Sequence, residues 1–227
     1  MAFVLLYKKE FNWWQMKNNE REIIKIPHCQ HPGQKASKKQ LNSWKISNYG
    51  KASGFVLEDE TGIEIYSKGG DVYRDTDDFT FVYKEENAED LTIEASVVDV
   101  DSAPTSIAST GVMLRQENNA GSFNINLRYL PWSEVAIMTW RDIDNPNSKD
   151  VTIKDFEHGT PVKLRLQKKG NKIIASCMNR DGMWQVVREV DIDINGTYLA
   201  GVTGFSGNND MWFISKVKDV KIYEGIE

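Results

Sequence analysis

Several groups of residues in this 227-residue chain have types and spacings that could do chemistry. The first is Glu189-Val-Asp191-Ile-Asp193. In an extended strand, positions i, i+2 and i+4 share one face, with neighbours ~6.6 Å apart by strand rise. Glycosidic hydrolysis with retention needs two carboxyls about 5–5.5 Å apart. The run is therefore a catalytic candidate. Its bland counterpart is an exposed polar face, with Val190, Ile192 and Ile194 pointing inward. The second group is Asp71, Asp75, Asp77 and Asp78. Carboxylates this dense in a loop can ligate calcium, which takes roughly six to eight oxygens. They can equally cap turns by bonding nearby backbone N–H groups. Asp142-Ile-Asp144-Asn-Pro-Asn147 is a weaker loop of the same kind. His28, Cys29 and His31 lie together, but zinc wants about four tetrahedral ligands, and no second Cys/His pair is near.

The last group is polar and alternates along strands. In Ser122-Phe-Asn-Ile-Asn-Leu-Arg128, Asn124, Asn126 and Arg128 share one face, opposite Phe123, Ile125 and Leu127. Arg115 follows Leu114 in a similar run, and Trp140-Arg141 ends another. In Val162-Lys-Leu-Arg-Leu-Gln167, Lys163, Arg165 and Gln167 share the non-core face. If these strands are neighbours, one concave surface carries Arg115, Asn124, Asn126, Arg128, Trp140 and Arg165. Fixed polar groups beside a flat aromatic are what a small-molecule or sugar site needs. The competing reading is a solvated sheet face. Trp132 and Trp212 are expected in or beside loops, as anchors or as packing. No nucleophile elbow, P-loop or dinucleotide fingerprint appears. Gly201-Val-Thr-Gly204-Phe-Ser-Gly207 lacks the lysine and the following helix.

The elements that must position these groups read as strands. From Leu41 onward the hydrophobic period is two: Ile63 and Ile65; Leu91, Ile93, Ala95 and Val97; Ile125, Leu127 and Tyr129; Val162, Leu164 and Leu166. Turn signals separate the runs, among them Lys68-Gly-Gly-Asp71, Asn118-Asn-Ala-Gly121, Lys169-Gly-Asn171 and Arg180-Asp-Gly182. No convincing helical period follows residue 40. Many short strands without helices between them imply a sandwich or barrel of antiparallel sheets. Residues 1–40 differ: they hold Trp13, Trp14, two of the three histidines and a polar run from Pro32 to Gln40. They read as an N-terminal appendage and linker, and residues 41–227 as the main domain. Phe3 to Tyr7 could alternatively add an edge strand.

Composition narrows the function classes. Hydrophobic residues make up 40% and charged residues 27%, as in an ordinary soluble globular protein. Net charge is -5, and Lys35, Lys38 and Lys39 form the only basic cluster, so nucleic acid is set aside as a partner. No apolar run approaches the ~20 residues of a membrane span. Met1 to Tyr7 lacks the basic start, long apolar core and cleavage site of an export signal. Cys29 and Cys177 are too few for a disulfide framework, and sequence alone does not show whether they pair.

Three stretches resemble a known superfamily. They are Trp44-Lys-Ile-Ser-Asn-Tyr-Gly50 with Gly69-Gly-Asp-Val-Tyr-Arg-Asp-Thr-Asp-Asp-Phe-Thr-Phe-Val-Tyr83; Gly111-Val-Met-Leu-Arg115; and Asn179-Arg-Asp-Gly-Met-Trp-Gln-Val-Val-Arg188 with Leu199-Ala-Gly-Val-Thr-Gly-Phe-Ser206 and Val220-Lys-Ile-Tyr223. Their order is similar to that of the concanavalin A-like lectin/glucanase superfamily. It looks closest to small bacterial, laminin-G-like modules that sit beside glycoside hydrolases. The resemblance implies an all-β, concanavalin A-like jelly-roll sandwich of two antiparallel sheets, with a short N-terminal appendage. It also implies an extracellular setting, although the chain itself is compatible with the cytoplasm. Family 16 glucanases of that superfamily carry Glu-x-Asp-x-Glu on one strand; here the last position is Asp193, whose reach is shorter. The expectation is a non-catalytic carbohydrate-binding module taking an oligo- or polysaccharide, with no required cofactor and a candidate structural calcium. The alternatives are a glycoside hydrolase or lyase of the same fold, or a protein-interaction or homo-oligomeric assembly domain.

Overall fold

The computed structural model describes residues 44–73, 76–101, 103–142, 149–153 and 160–225. The chain divides into two compact units, Met1–Lys35 and Ala36–Glu227, and every described residue lies in the second. The expected appendage, with Trp13, Trp14, His28, Cys29 and His31, lies outside the described residues.

Among the described residues every element is a strand. In chain order they are β1 (Lys45–Asn48), β2 (Ser53–Asp59), β3 (Gly62–Gly69), β4 (Val72–Tyr73), β5 (Thr76–Asp77), β6 (Thr80–Glu86), β7 (Asp90–Val100) and β8 (Ser109–Arg115). There follow β9 (Asn124–Leu130), β10 (Val135–Arg141), β11 (Lys149–Ile153), β12 (Val162–Lys169), β13 (Lys172–Met178), β14 (Trp184–Asp191), β15 (Tyr198–Phe205) and β16 (Asn208–Glu224). One seven-stranded sheet, sheet A, runs β1-β6-β15-β8-β9-β10-β11. The other, sheet B, runs β14-β13-β12-β7-β16-β3-β2, and β4-β5 forms a small separate ribbon. The pairings are antiparallel, so the all-β sandwich expectation holds.

Period-two alternation builds the core, because successive side chains of a strand point to opposite faces. From sheet A, Val112, Leu114, Ile125, Leu127, Met138, Ala200 and Val202 face inward, all fully buried. They meet Ile65, Ile93, Val97, Leu164, Leu166, Ile173 and Val217 of sheet B. Each Val, Leu, Ile or Met among them contributes about 1.5–3 kcal/mol by leaving water.

A second buried cluster sits on the opposite face of sheet A: Tyr49, Val72, Phe79, Phe81, Tyr83, Met113, Leu199 and Phe205. Tyr49 follows β1, and Val72 comes from the β4–β5 ribbon. The chain between β1 and β6 therefore supplies residues to the outer face of sheet A. Gly50 makes this possible at one corner. Its φ is 61°, and a Cβ there would collide with the Asp77 carbonyl and the Asp78 carboxylate.

Candidate functional site

Strands β8, β9 and β10 are neighbours, and their register sets polar residues side by side on the outer face of sheet A. Arg115, Asn124 and Arg141 form one lateral row, and Met113, Asn126 and Thr139 form the next. Gly111 lies opposite Arg128 in the third. A Cβ on Gly111 would fall 2.5 Å from the Arg128 Cα and 2.9 Å from its Cβ, so glycine lets β8 and β9 approach here. Six of these side chains are polar or charged, yet all are almost wholly buried: Arg115, Asn124, Asn126 and Thr139 are 0% exposed, Arg141 3% and Arg128 4%.

Carboxylates from the chain before β6 neutralise the arginines. Asp77 is itself buried. Its Oδ2 accepts from Arg115 Nη2 at 2.6 Å and from the Gly121 backbone N–H at 2.7 Å. Arg141 Nη1 reaches Asp77 Oδ1 at 3.0 Å. Arg115 also donates to the carbonyls of Glu117 and Asn119, and its guanidinium stacks 4.5 Å from the Tyr49 ring centroid. Arg128 pairs with Asp71 at 3.0 Å and lies 5.0 Å from the Phe205 ring. Burial pushes the Tyr49 phenol up to about 12, partly offset by the Arg115 charge. Its hydroxyl donates to Asn118 Oδ1 at 2.7 Å.

This network is incomplete. Asn126 Nδ2 donates to Asn124 Oδ1 at 3.3 Å, but Asn126 Oδ1 has no hydrogen-bond partner. Nor do Arg115 Nη1, Arg128 Nε or Thr139 Oγ1, and Asp142 Oδ1, directly after β10, is buried and unpartnered as well. An unmet buried polar group costs roughly 1–3 kcal/mol, and in a native fold such a group is one that strain, a functional role, water or an ion accounts for. The unmet set contains two guanidinium donors, two oxygen acceptors and one hydroxyl that can act either way. Hydroxyl groups, which donate and accept, are the chemistry that satisfies such a mixture.

Other sequence expectations fall elsewhere. Arg115, Asn124, Asn126 and Arg128 are brought together, but Trp140 and Arg165 do not join them. Trp140 pairs with Ile125 and faces the sandwich core, 5% exposed, with the Arg188 guanidinium 5.2 Å from its ring. Its parity matches Ala136 and Met138, which are both inward. Arg165 belongs to sheet B, where it pairs with Glu94 at 3.7 Å and stacks 4.2 Å from Trp184. The expectation of one shared surface is corrected on both counts. Glu189, Asp191 and Asp193 are exposed. The first two lie on β14, an edge strand of sheet B, and Asp193 follows it. Glu189 meets Lys172 at 3.4 Å. Val190 packs on the core, with Ile192 and Ile194 buried in it, so the run is the polar side of an edge and does not line the outer face of sheet A.

The aspartate cluster is spread over several tasks. Asp71 holds Arg128 and the Val72 N–H, Asp77 holds two arginines, and Asp78 accepts from the Lys51 N–H at 2.5 Å. Among the described residues no three His, Cys, Asp or Glu side chains converge as a metal site would require. Asp75, and Asp144 to Asn147, lie outside the described residues. Cys177 is a free, buried thiol whose pKa burial raises. Thr139, Arg141 and the partnership of Asp77 with the arginines were missed by sequence reading. The alternation Ile137, Thr139, Arg141 could have placed the first two on this face.

No protein-family model matches the chain, and no curated protein matches it. Solved structures do. A functionally unknown protein from Saccharomyces cerevisiae superposes with a TM-score of 0.65 at 14% identity, over 83% of this chain and 100% of that one. The carbohydrate-binding module CBM66 from Bacillus subtilis gives 0.55 at 12%, over 81% and 96%. The alginate lyase from Klebsiella pneumoniae gives 0.53 at 14%, over 83% and 97%. At these identities the likeness is one of fold: the chain is a concanavalin A-like jelly roll. That fold serves carbohydrate binding and lyase chemistry alike, and does not decide between them. No helix among the described residues is long and apolar enough to cross a membrane.

Proposed function

We propose that this chain is a carbohydrate-binding module whose site is the outer face of sheet A around Asn126 and Thr139. The observation that carries this is the set of buried, unpartnered atoms on adjacent strands, Arg115 Nη1, Asn126 Oδ1, Arg128 Nε and Thr139 Oγ1. They are a balanced set of donors and acceptors held on rigid strands, which suits sugar hydroxyls. The arginines are positioned by Asp77 and Asp71, which leaves Arg115 Nη1 and Arg128 Nε as the donors still without a partner. Because those carboxylates are committed to arginines and backbone, binding in this reading needs no calcium. Tyr49, the tyrosine stacked on Arg115, is a poor general base: burial holds its phenol protonated and its hydroxyl is engaged by Asn118.

The test is retention on a panel of plant, algal and bacterial polysaccharides, with calcium and with chelator, and with products analysed in the same tubes. Retention without cleavage, unchanged by chelator and lost on Asn126→Ala, is expected. Cleavage would replace the reading with a lyase or hydrolase. Retention unaffected by Asn126→Ala would move the site elsewhere. Retention on none of the polymers would sink the reading.

A further inference from the structure

Asparagine is a thermolabile residue, because its side-chain amide lies within reach of the backbone N–H that follows it. Glycine in the next position leaves that nitrogen unshielded, since it has no Cβ. Asn195-Gly196 is the only Asn-Gly pair in the chain. It lies between β14 and β15, and both residues are exposed. The core anchors the turn on either side through Ile194 and Tyr198, both buried. The Gly196 N–H makes no hydrogen bond among the described residues, and a Cβ on Gly196 would meet nothing within 4 Å. The nitrogen that would attack is therefore open. The chain's one Asp-Gly pair, Asp181-Gly182, differs. There the Gly182 N–H donates to the Asn179 carbonyl at 3.0 Å, so the same attack must first break a hydrogen bond.

We propose that Asn195 is a self-modification site, converting spontaneously to aspartate and isoaspartate, with Gln116 as its brake. Hydroxide takes the proton from Gly196 N. That nitrogen bonds to Asn195 Cγ, the Cγ–Nδ2 bond breaks, and ammonia leaves with a proton from water. The product is a succinimide ring, which water then opens. Cleavage at Cγ gives aspartate, and cleavage at the main-chain carbonyl gives isoaspartate. Nothing is oxidised or reduced. Ring closure requires the Asn195 backbone to rotate, and Gln116, the residue after β8, resists this. Its Oε1 accepts from the Asn195 N–H at 2.9 Å, and its Nε2 donates to the carbonyls of Asn195 at 2.8 Å and Thr197 at 3.2 Å. Both products undo the arrangement. Asn195 Nδ2 donates to Asp193 Oδ1; a carboxylate in its place loses that bond and faces a like charge. Isoaspartate also adds one carbon to the main chain, which shifts the two carbonyls relative to Gln116. Because Gln116 follows Arg115 directly, the modification loosens the end of β8 that carries Arg115.

The experiment is peptide mapping by mass spectrometry on the full folded chain, held in mildly alkaline buffer and sampled over weeks. Enzymatic methylation of isoaspartate is the second readout. The Asn195 peptide should gain one mass unit, faster as pH rises, and should accept methyl groups, while the Asp181 peptide accepts none. Gln116→Ala should speed the gain several-fold without changing the other asparagines. Should Gln116→Ala lower the melting midpoint, Gln116→Glu takes its place. It keeps an acceptor for the Asn195 N–H, loses the donor to both carbonyls, and should also speed the gain. An Asn195 peptide unchanged in the folded chain, yet modified in the urea-unfolded chain, overturns the inference. Methylation of the Asp181 peptide at an equal rate overturns it too, as does a Gln116 variant that ages no faster than the parent.

Discussion

Thr139→Val separates a site built for a ligand from a face built for stability. Threonine and valine are nearly isosteric and both branched at Cβ, so the strand keeps its shape and its propensity. Thr139 is fully buried, its position in the register lies between Asn126 of β9 and Asp150 of β11, and its hydroxyl has no partner. An unmet buried hydroxyl costs roughly 1–3 kcal/mol, and replacing it by an apolar group of the same shape removes that cost. The ligand-free variant should therefore gain about 1 kcal/mol or more. For a domain of this size each kcal/mol moves the midpoint by about 2–4 °C, so a rise of that order is expected by calorimetry. The same change should weaken polysaccharide retention a few-fold, since one hydrogen bond is worth about 0.5–1.5 kcal/mol. A fall in melting temperature would refute the reasoning, because it would mean that the hydroxyl is satisfied within the fold. A rise with unchanged retention would remove Thr139 from the site.

Four further outcomes follow from the same geometry. Asp77→Ala leaves two buried guanidinium groups without their carboxylate, which costs about 3–5 kcal/mol and about 6–20 °C at the rate above; Asp77→Ala within a degree or two of the parent would show the pair to be dispensable. Gly111→Ala forces β8 from β9 at Arg128, costing about 1–3 kcal/mol as overpacking does, and should reduce retention along with the urea midpoint. The Tyr49 phenol is raised from 10.0 to about 12 by burial, so the stability it contributes is complete below pH 10 and is lost as pH climbs through about 12; alkaline unfolding followed by circular dichroism should start later in Tyr49→Phe. Cys177, buried and with its thiol pKa raised, should resist a thiol reagent in the native protein and react at once in denaturant.

The architecture was legible in the sequence because a sandwich strand exposes its parity directly. Ile125, Leu127 and Tyr129 read as inward, Asn124, Asn126 and Arg128 as outward, and the structure places them so. Parity assigns a face within one strand, however, and not the sheet to which the strand belongs. Arg165 was placed on the right side of its strand and in the wrong sheet for that reason. Trp140 was judged by its aromatic character when its alternation with Thr139 and Arg141 already turned it inward. The role of Asp77 was hidden by distance: its partners lie 38 and 64 residues along the chain. A dense aspartate loop read alone suggests calcium; only the fold brings the arginines to it.

The place of β16 has a consequence for how the chain is made. This last strand lies between β7 and β3, and pairs with both. Until it arrives, sheet B exists only as two separate parts: the β2–β3 hairpin and the β14-β13-β12-β7 block. On a ribosome, where synthesis proceeds from the N-terminus, β7 must wait with one side unpaired while more than a hundred residues are added. Pairing so remote in sequence is slow to form, and that interval is when the nascent chain is most open to a chaperone, or to another copy of itself.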